Sequence, residues 1–353
     1  MDVGPGADQI ELRENVRTVL AAECPTSVVH QALIDPQRWR ALWKTVVELG
    51  WTGLSGGDFT IIDLVVVLEE CGAALAPIPM LSTVGLAAGV LVRSGSFGDA
   101  VGEIESGAVA VLAAQSPRHR LPAPPMTLTD GRLRGHAVGV CDLDRADLVV
   151  TFAVDGEHTV AAVLRPGDGV LVTETASVDP TRPLADIEVD AIPETTVVVD
   201  FESVMTIPLI AAAADLVGAA DGALGLAVEY AKTRIQFGKP IGGFQGIKHA
   251  LADCRVAVER ARGLTYAAAA AADVTDTDLD SAWRSAALAK AAASEAATRC
   301  AGVAVQVHGA IGQTWEHDCH LYTRRAWQAA ALHGDARSLY HEVGHRFLTR
   351  DVA

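Results

Sequence analysis

The stretch that decides the fold runs from Arg234 to Gln245 and reads Arg-Ile-Gln-Phe-Gly-Lys-Pro-Ile-Gly-Gly-Phe-Gln. It follows Tyr230-Ala231-Lys232-Thr233, where a cation comes at the end of a helical pattern, a position that the helix dipole favours. The glycines and the proline then predict a loop, and helical spacing returns after it. Taken residue by residue, the stretch is an ordinary connection between two helices.

Helical spacing of apolar residues continues on both sides of this loop. Another helical pattern, rich in alanine, runs from about residue 281 to residue 308. Small side chains let helices approach closely, so residues 201–353 are predicted to form a helical bundle with a surface for self-association. The apolar positions are Ile210, Val217, Leu224 and Val228 before the loop, and Ile247, Leu251, Cys254 and Val258 after it.

Upstream of the bundle, the spacing of apolar residues shifts towards two. The pairs Asp130-Gly131 and Asp155-Gly156 separate short alternating runs, and Asp-Gly between such runs is a strong signal for a hairpin turn. The run Val197-Val198-Val199 closes this region. The pattern predicts a small antiparallel β domain over residues 108–200.

The first part of the chain again has helical spacing, with Leu12, Val16 and Leu20 four residues apart. We therefore predict an N-terminal helical domain over residues 1–107. The predicted fold class is α+β and mainly α, in the order helical domain, β domain, helical bundle. Few large families place a single β domain between two helical ones, so this order is itself informative.

Composition excludes several classes of protein. The chain has 353 residues, with 28 lysines and arginines against 44 acidic residues and a formal charge of -16, which disfavours nucleic acid as a partner. No apolar run has the length and flanks of a membrane span, and the start lacks the features of a secretory signal, so we expect a cytoplasmic protein without a membrane partner. The six cysteines are scattered and are expected to be reduced core thiols.

The pattern Arg-x-Gln-Phe-Gly-Lys-x-Ile-Gly-x-Phe-Gln, read as a whole, resembles a signature of the flavin-dependent acyl-CoA dehydrogenase family. In that signature the arginine meets the FAD pyrophosphate of a neighbouring subunit, which is a charge-assisted contact of the stronger kind. The resemblance implies FAD as the cofactor. It also implies that Arg234, Gln236, Phe237 and Gln245 contact the flavin cofactor.

A second segment, Gln306-Val307-His308-Gly309-Ala310-Ile311-Gly312, resembles the family's Gln-x-x-Gly-Gly-x-Gly sequence. In the family this glycine pair lets the backbone approach the adenosine-diphosphate part of FAD. The resemblance implies that Gln306, Gly309 and Ala310 contact the cofactor. Ala310 stands where the family has glycine, and its methyl group would crowd the cofactor at positive φ or at very close approach.

The resemblance also implies the reaction, which is α,β-dehydrogenation of an acyl-CoA thioester. This reaction needs a carboxylate base for the α proton. In one branch of the family a glutamate in a Tyr-Glu-Gly-Thr-like loop is that base, and the matching residues 331–336 contain none. In another branch it precedes the arginine motif, where residues 205–210 have no carboxylate. Asp335 and Asp215 are the nearest acids, so the catalytic residue is left unassigned.

The predicted β domain departs from the family as well. Residues 114–117, Ala-Gln-Ser-Pro, replace a loop that flanks the flavin ring, and residues 136–141 replace a strand that contains tryptophan. Loss of the ring-side contacts and of the base, with the pyrophosphate-side contacts retained, predicts that the flavin ring lies in a different subunit. In this respect the chain resembles the short subunits of actinobacterial α2β2 acyl-CoA dehydrogenases, which act on sterol side-chain CoA thioesters. The implied partners are acyl-CoA, a second family subunit and an electron-transfer flavoprotein.

Several alternatives stay open at this point. The chain could be a homo-oligomeric dehydrogenase with Asp335 as base, or a non-catalytic scaffold subunit. The sequence His341-Glu342-Val343-Gly344-His345 has the spacing of a zinc-hydrolase motif, and His317 and His320 share one helical face. No third ligand is evident for the first motif. The second group, with Asp318, Cys319 and His308 nearby, has no accompanying HExxH or paired-carboxylate spacing, so no metal site is assigned.

Overall fold

The computed structural model describes residues 4–57, 59–117, 119–274 and 278–350. Among these residues six α-helices, with a π-helix at Leu81–Ala88 after the fourth, come first, then a sheet, then five α-helices, so the predicted order of helical, β and helical parts is confirmed. The helices are α1 (Ala7–Glu23), α2 (Thr26–Ala32), α3 (Trp39–Glu48), α4 (Ile61–Ala73), α5 (Gly89–Ser94), α6 (Gly98–Glu105), α7 (Phe201–Thr233), α8 (Gln245–Ala272), α9 (Leu279–His308), α10 (Cys319–Ala331) and α11 (Ala336–Arg350).

The start of α4 shows how local sequence sets the helix boundaries. The Thr60 hydroxyl oxygen accepts from the Asp63 backbone N–H at 3.3 Å, and the Asp63 carboxylate accepts from the Thr60 N–H at 2.8 Å. This reciprocal capping box satisfies two backbone donors that a helix start otherwise leaves without partners. The residues that follow Leu64 are buried through Gly72, so α4 is a core helix.

The middle of the chain forms one eight-stranded sheet. Its main strand order is β6-β7-β3-β2-β4-β5-β8, and β1 pairs with β4 beside β2. Most pairs are antiparallel as predicted, but β1 and β2 both run parallel to β4. The strands are β1 (Ala110–Ala113), β2 (Met126–Thr129), β3 (Arg132–Cys141), β4 (Leu148–Asp155), β5 (His158–Leu164), β6 (Val170–Thr175), β7 (Leu184–Ala191) and β8 (Thr195–Val199).

Both predicted hairpins are confirmed. Thr129 pairs with Arg132, so Asp130-Gly131 forms a two-residue turn, whereas Asp155 pairs with His158, so the second turn is Gly156-Glu157 and Asp155 ends β4. Asp130 and Gly131 have φ of 51° and 74°, the positive values that such turns require.

The sheet buries residues on both faces. One face, which includes Val150 and Phe152 of β4, packs into the large core formed by the helices. The other face, which includes Val149 and Ala153, packs into a smaller core of the strands themselves. Helices therefore cover only one side of the sheet, and the loops at its edge meet the C-terminal bundle.

Helix α7 lies at the centre of the bundle and packs against α4, α8, α9 and α10. Glycine allows its close contact with α4, because a Cβ on Gly218 would lie 1.8 Å from the Glu69 carbonyl oxygen. Within the described residues α7 is long and apolar enough to cross a membrane, but 94% of its most apolar stretch is buried in the protein. It is the core helix of the bundle.

The limits of the three predicted domains stay predictions. Between the first helical part and the sheet, α6 ends at Glu105 and β1 begins at Ala110. Between the sheet and the bundle, β8 ends at Val199 and α7 begins at Phe201. All six cysteines are free thiols, as expected, and all but Cys141 are buried.

Candidate functional site

The Arg234 to Gln245 stretch forms a small hairpin after α7. Strand β9 (Ile235–Gln236) pairs with β10 (Lys239–Pro240), and Phe237 and Gly238 make the turn. Both turn residues have positive φ, 52° for Phe237 and 77° for Gly238. A phenylalanine is strained in this conformation, and its side chain is 92% exposed. The hairpin therefore holds a large aromatic ring out in solvent.

Close packing fixes this hairpin on the end of the bundle. A Cβ on Gly242 would lie 2.9 Å from the Ala231 carbonyl oxygen, so glycine lets the loop lie against α7. The Ile241 N–H donates to the Arg234 carbonyl at 2.8 Å. The Phe244 ring lies edge-on to the Phe237 ring, with centroids 6.1 Å apart. The position of the hairpin is therefore set by backbone as well as side-chain contacts.

The second predicted segment lies at the end of α9. Gly309 ends the helix with φ of 66°, and a Cβ there would meet nothing within 4 Å. Ala310 begins a short 3₁₀ turn and does not have positive φ. Its methyl group therefore carries no backbone strain, and the approach to Gly309 is open.

The two segments come together at one end of the bundle. The Tyr230 ring, one helical turn before Arg234, stacks on the His308 ring with centroids 4.3 Å apart. We define the bundle-end surface by the seven residues predicted to contact the cofactor. They are all exposed: Arg234, Gln236, Phe237, Gln245, Gln306, Gly309 and Ala310.

This surface has the chemistry to meet an anionic dinucleotide. Within the described part of the chain, the Arg234 guanidinium has no ion pair and no side-chain hydrogen bond. An exposed cation with free donors, next to a glycine whose Cβ position is open, suits a pyrophosphate group. The residues present are therefore compatible with the adenosine-diphosphate part of FAD.

Residues 331–336 match the family's base loop, and their surroundings contrast with the exposed bundle-end surface. Leu332 and His333 line a cavity of about 20 Å³, which has room for one water molecule and not for an acyl chain. We name it the base-loop pocket. Its other lining residues are Leu81, Cys141, Asp179, Arg182, Ala212, Arg325, Gln328 and Ala329.

Buried charges fill the space around the base-loop pocket. Arg182 donates to the Asp215 carboxylate at 2.7 Å, and Arg325 donates to the Asp179 carboxylate at 2.5 Å and to the Thr181 hydroxyl at 2.8 Å. Burial raises the pKa of Asp179, but the charge of Arg325 and the hydrogen bonds from Thr181 and Arg325 together outweigh it, and the pKa lies below its ordinary value. Asp215 is 0% exposed and held by Arg182, so it is not a free base.

His333 occupies the region in which the family's glutamate lies. Burial, together with the nearby charges of Lys290 and Arg182, lowers the pKa of His333 to about 3, so the imidazole is neutral. Lys290 is 0% exposed, and its ammonium lies 3.0 Å from the Gly334 carbonyl and 3.1 Å from those of Ala329 and Ala330. These contacts fix the loop between α10 and α11.

Asp335, the other candidate base, caps α11. Its carboxylate accepts from the Ser338 N–H at 3.0 Å and from the Ser338 hydroxyl at 2.9 Å. Burial raises the pKa of Asp335, but the hydrogen bonds from Ser338 outweigh it and the pKa is lowered overall. Asp335 lines an open cleft with Trp327 and Arg337 and is not among the residues that line the base-loop pocket.

Neither of the two alternative metal sites has a set of ligands among the described residues. Across residues 4–57, 59–117, 119–274 and 278–350, no group of three His, Cys, Asp or Glu side chains could hold a metal ion. The Glu342 carboxylate accepts from Arg346 at 2.9 Å. His317 Nδ1 accepts from the Cys319 N–H at 3.1 Å, and His320 Nε2 lies 3.0 Å from the Trp315 carbonyl. These side chains are used in local structure.

Sequence reasoning missed the charged residues around the base-loop pocket. Arg182 and Asp179 come from the loop before β7, whereas Arg325 and Lys290 come from α10 and α9. A signal was available for Lys290, which lies among alanines on a helix predicted to belong to the bundle. No spacing rule connects residues 179–182 with residue 325, because their contact depends on how the sheet meets the bundle.

Comparison with known proteins first identifies the class of protein. Residues 206–347 match the model for the acyl-CoA dehydrogenase C-terminal domain. The chain is 31% identical over 336 residues to acyl-CoA dehydrogenase IpdE2 of Mycobacterium tuberculosis, with 93% of each chain covered. It is 33% identical over 336 residues to IpdE2 of Mycolicibacterium smegmatis, covering 92% of this chain and 94% of that protein.

A solved structure gives the same result. A chain of the ChsE4-ChsE5 complex from Mycobacterium tuberculosis superimposes with a TM-score of 0.89 at 26% identity, and 99% of each chain is covered. The protein belongs to the acyl-CoA dehydrogenase family, a family of oxidoreductases that act on CH–CH bonds of acyl-CoA.

Proposed function

We propose that this chain is the FAD-completing subunit of a hetero-oligomeric acyl-CoA dehydrogenase. Its bundle-end surface meets the adenosine-diphosphate part of an FAD whose flavin ring lies in a second subunit of the same family. Bound FAD supplies the hydride acceptor for α,β-dehydrogenation of an acyl-CoA. The substrate class implied by the resemblance is a sterol side-chain or other lipid thioester, with an electron-transfer flavoprotein as the final acceptor.

The observation that carries the proposal is the small volume of the base-loop pocket and the pairing of its polar side chains. A cavity of about 20 Å³ cannot hold an acyl thioester beside a flavin ring. Its polar side chains are paired with one another, and the position of the missing glutamate holds a neutral histidine. With no room for an acyl thioester in the base-loop pocket, this chain would contribute to the reaction through another subunit.

The residues of the bundle-end surface have separate roles in this proposal. Arg234 would hold the pyrophosphate through charge-assisted hydrogen bonds. Gln236 and Gln306 would donate or accept at the ribose and phosphate oxygens, and the open backbone at Gly309 would let the cofactor approach. Phe237, rigid in its turn, would cover the cofactor or the partner subunit and exclude water.

The name of one structural neighbour supports the two-subunit form. ChsE4-ChsE5 is a complex of two different chains, and the chain superimposed here matches along nearly its whole length. That arrangement is compatible with an exposed bundle-end surface on which the Arg234 guanidinium has no ion pair and no hydrogen bond within the described part of the chain.

The test is to purify the chain alone and together with a family member that retains the glutamate. We expect stoichiometric FAD and acyl-CoA oxidation only in the mixed complex. A lone chain that binds one FAD and oxidises acyl-CoA by itself would refute the proposal. In the complex, unchanged FAD affinity in Arg234→Ala would instead favour a scaffold subunit that does not contact the cofactor.

The homo-oligomeric alternative makes a different prediction. It requires Asp335 as base, so Asp335→Ala would abolish flavin reduction by substrate and leave FAD bound. The capping contacts of Asp335 with Ser338 argue for a structural role. We expect Asp335→Ala to weaken the start of α11, with loss of stability of about 1 kcal/mol, and not to change the chemistry.

A further inference from the structure

Trp315 lies in the turn between α9 and α10, three residues after Gly312, and its side chain is 52% exposed. Large aromatic side chains at this exposure are common where a protein binds a partner or ligand. None of the roles assigned above uses this residue. What it can bind depends on which of its two ring faces is free.

One face of the indole is covered. The His320 ring stacks on it with centroids 5.2 Å apart and an angle of 15° between the planes. The Arg324 guanidinium carbon also lies 5.2 Å from the indole centroid, and Arg324 Nε is 3.3 Å from His320 Nδ1. Groups on opposite faces would be separated by about the sum of the two centroid distances. His320 and Arg324 therefore lie on the same side. No other ring or cation among the described residues stacks on Trp315, and its 52% exposure leaves the opposite face available.

Hydrogen bonds make this arrangement rigid. His320 Nε2 lies 3.0 Å from the Trp315 carbonyl oxygen, and Nδ1 accepts from Arg324 Nε, so a neutral imidazole protonated on Nε2 uses both nitrogens. Arg324 also donates through Nη1 to the Val178 carbonyl at 3.1 Å. The indole is thus held in place from behind before anything binds to its open face.

Trp315 is close to the bundle-end surface in the fold. His317, two residues later, contacts the His308 ring with centroids 4.6 Å apart, and His308 stacks on Tyr230. Arg234 follows Tyr230 by one helical turn, and Gly309 follows His308 directly. The open indole face therefore lies at the end of the bundle that carries the cationic donor and the open glycine.

We infer that Trp315 stacks against the adenine ring of the bound dinucleotide. The inference rests on the proposed function, because the phosphate-binding role of Arg234 is what identifies the planar ligand as a nucleotide base. A rigid, half-exposed indole backed by a cation is suited to stacking, which does not depend on hydrogen-bond pattern. The flavin-proximal half of the cofactor makes no contact with Trp315.

The experiment compares FAD with FMN, which lacks the adenosine, in binding to the flavin-free mixed complex. Dissociation constants are measured by flavin fluorescence for Trp315→Leu, Trp315→Phe and the control Trp327→Leu, which removes another exposed tryptophan, on α10. We expect Trp315→Leu to weaken FAD binding about tenfold or more and to leave FMN binding unchanged. Trp315→Phe keeps most of the affinity, and Trp327→Leu has no effect.

Other outcomes separate the inference from the proposed function. If Arg234→Ala weakens FAD binding and Trp315→Leu does not, the stacking role is wrong and the proposed function stands. If neither variant weakens FAD binding, both are wrong. If Trp315→Leu prevents the two chains from assembling or weakens FMN equally, Trp315 is a subunit contact and the inference is overturned.

Discussion

The bundle-end surface and the base-loop pocket both match functional segments of the family, yet they are built in opposite ways. At the bundle end the polar groups are exposed, and Arg234 has no partner among the described residues. Around the base-loop pocket Arg182, Arg325 and Lys290 are buried, and each donates to oxygen atoms of the same chain. The first region leaves the Arg234 guanidinium exposed and without a partner among the described residues, and the second pairs its charged groups within the chain.

The largest effect is expected at the base-loop pocket. Arg325→Met leaves the Asp179 carboxylate buried without its cation, which should lower the free energy of unfolding by about 3–5 kcal/mol. Urea denaturation of the lone chain measures this. The control Lys44→Met removes an exposed ion pair with Glu48 and should change stability by less than about 0.5 kcal/mol. Equal effects of the two variants would show that the pocket charges are not structural.

The matching change at the bundle end should act on the cofactor and not on the fold. Arg234→Ala removes hydrogen bonds to a charged group and should weaken FAD binding to the mixed complex by about 1.5–3 kcal/mol. The unfolding midpoint of the lone chain should not move, since the exposed Arg234 side chain makes no ion pair and no hydrogen bond within the described residues. Lys232→Ala, which removes an exposed pair with Glu229, is the control and should leave FAD affinity unchanged. A loss of stability in Arg234→Ala would break the contrast between the two regions.

The base-loop pocket should also respond to pH. His333 has a pKa of about 3 in the fold and an ordinary value of 6.5, so between these values the unfolded chain binds the extra proton. Its contribution to stability is therefore present above pH 6.5 and is lost as pH falls towards 3, with a slope of up to about 1.4 kcal/mol per pH unit.

His333→Gln isolates this contribution from the other groups that titrate in acid. Stability of the variant and of the natural chain is measured by urea denaturation from pH 7 to pH 4, and the difference between the two curves is compared. We expect the variant to lose less stability on acidification. Parallel curves would mean that His333 is accessible to protons in the fold, and that the pocket is not closed.

The sequence predicted the fold well because its signals are local. Helical spacing, the Asp130-Gly131 turn and the loop between α7 and α8 depend on neighbouring residues, and these elements were found where they were expected. The absence of a base glutamate was also visible. The buried charge pairs found in that region could not be predicted from the sequence. The pairing of Arg182 with Asp215 and of Arg325 with Asp179 joins segments far apart in the chain. Such contacts follow from the angle at which the sheet meets the bundle, which no local pattern encodes.

The smallest effect is expected at the turn of the bundle-end hairpin, where stability and function should change in opposite directions. Phe237 has φ of 52° and a 92% exposed ring, whereas asparagine is favoured at this position of such a turn. Phe237→Asn should therefore stabilise the lone chain, by about 0.5–1 kcal/mol, and weaken FAD binding to the mixed complex. The control is Asp130→Asn, at the matching position of the β2–β3 turn. Aspartate already suits that position, so this substitution should change neither stability nor FAD affinity. If Phe237→Asn gains stability and keeps full FAD affinity, the exposed ring contacts neither the cofactor nor the subunit that holds it. The functional part of the bundle-end surface would then consist only of the charged and polar groups around Arg234.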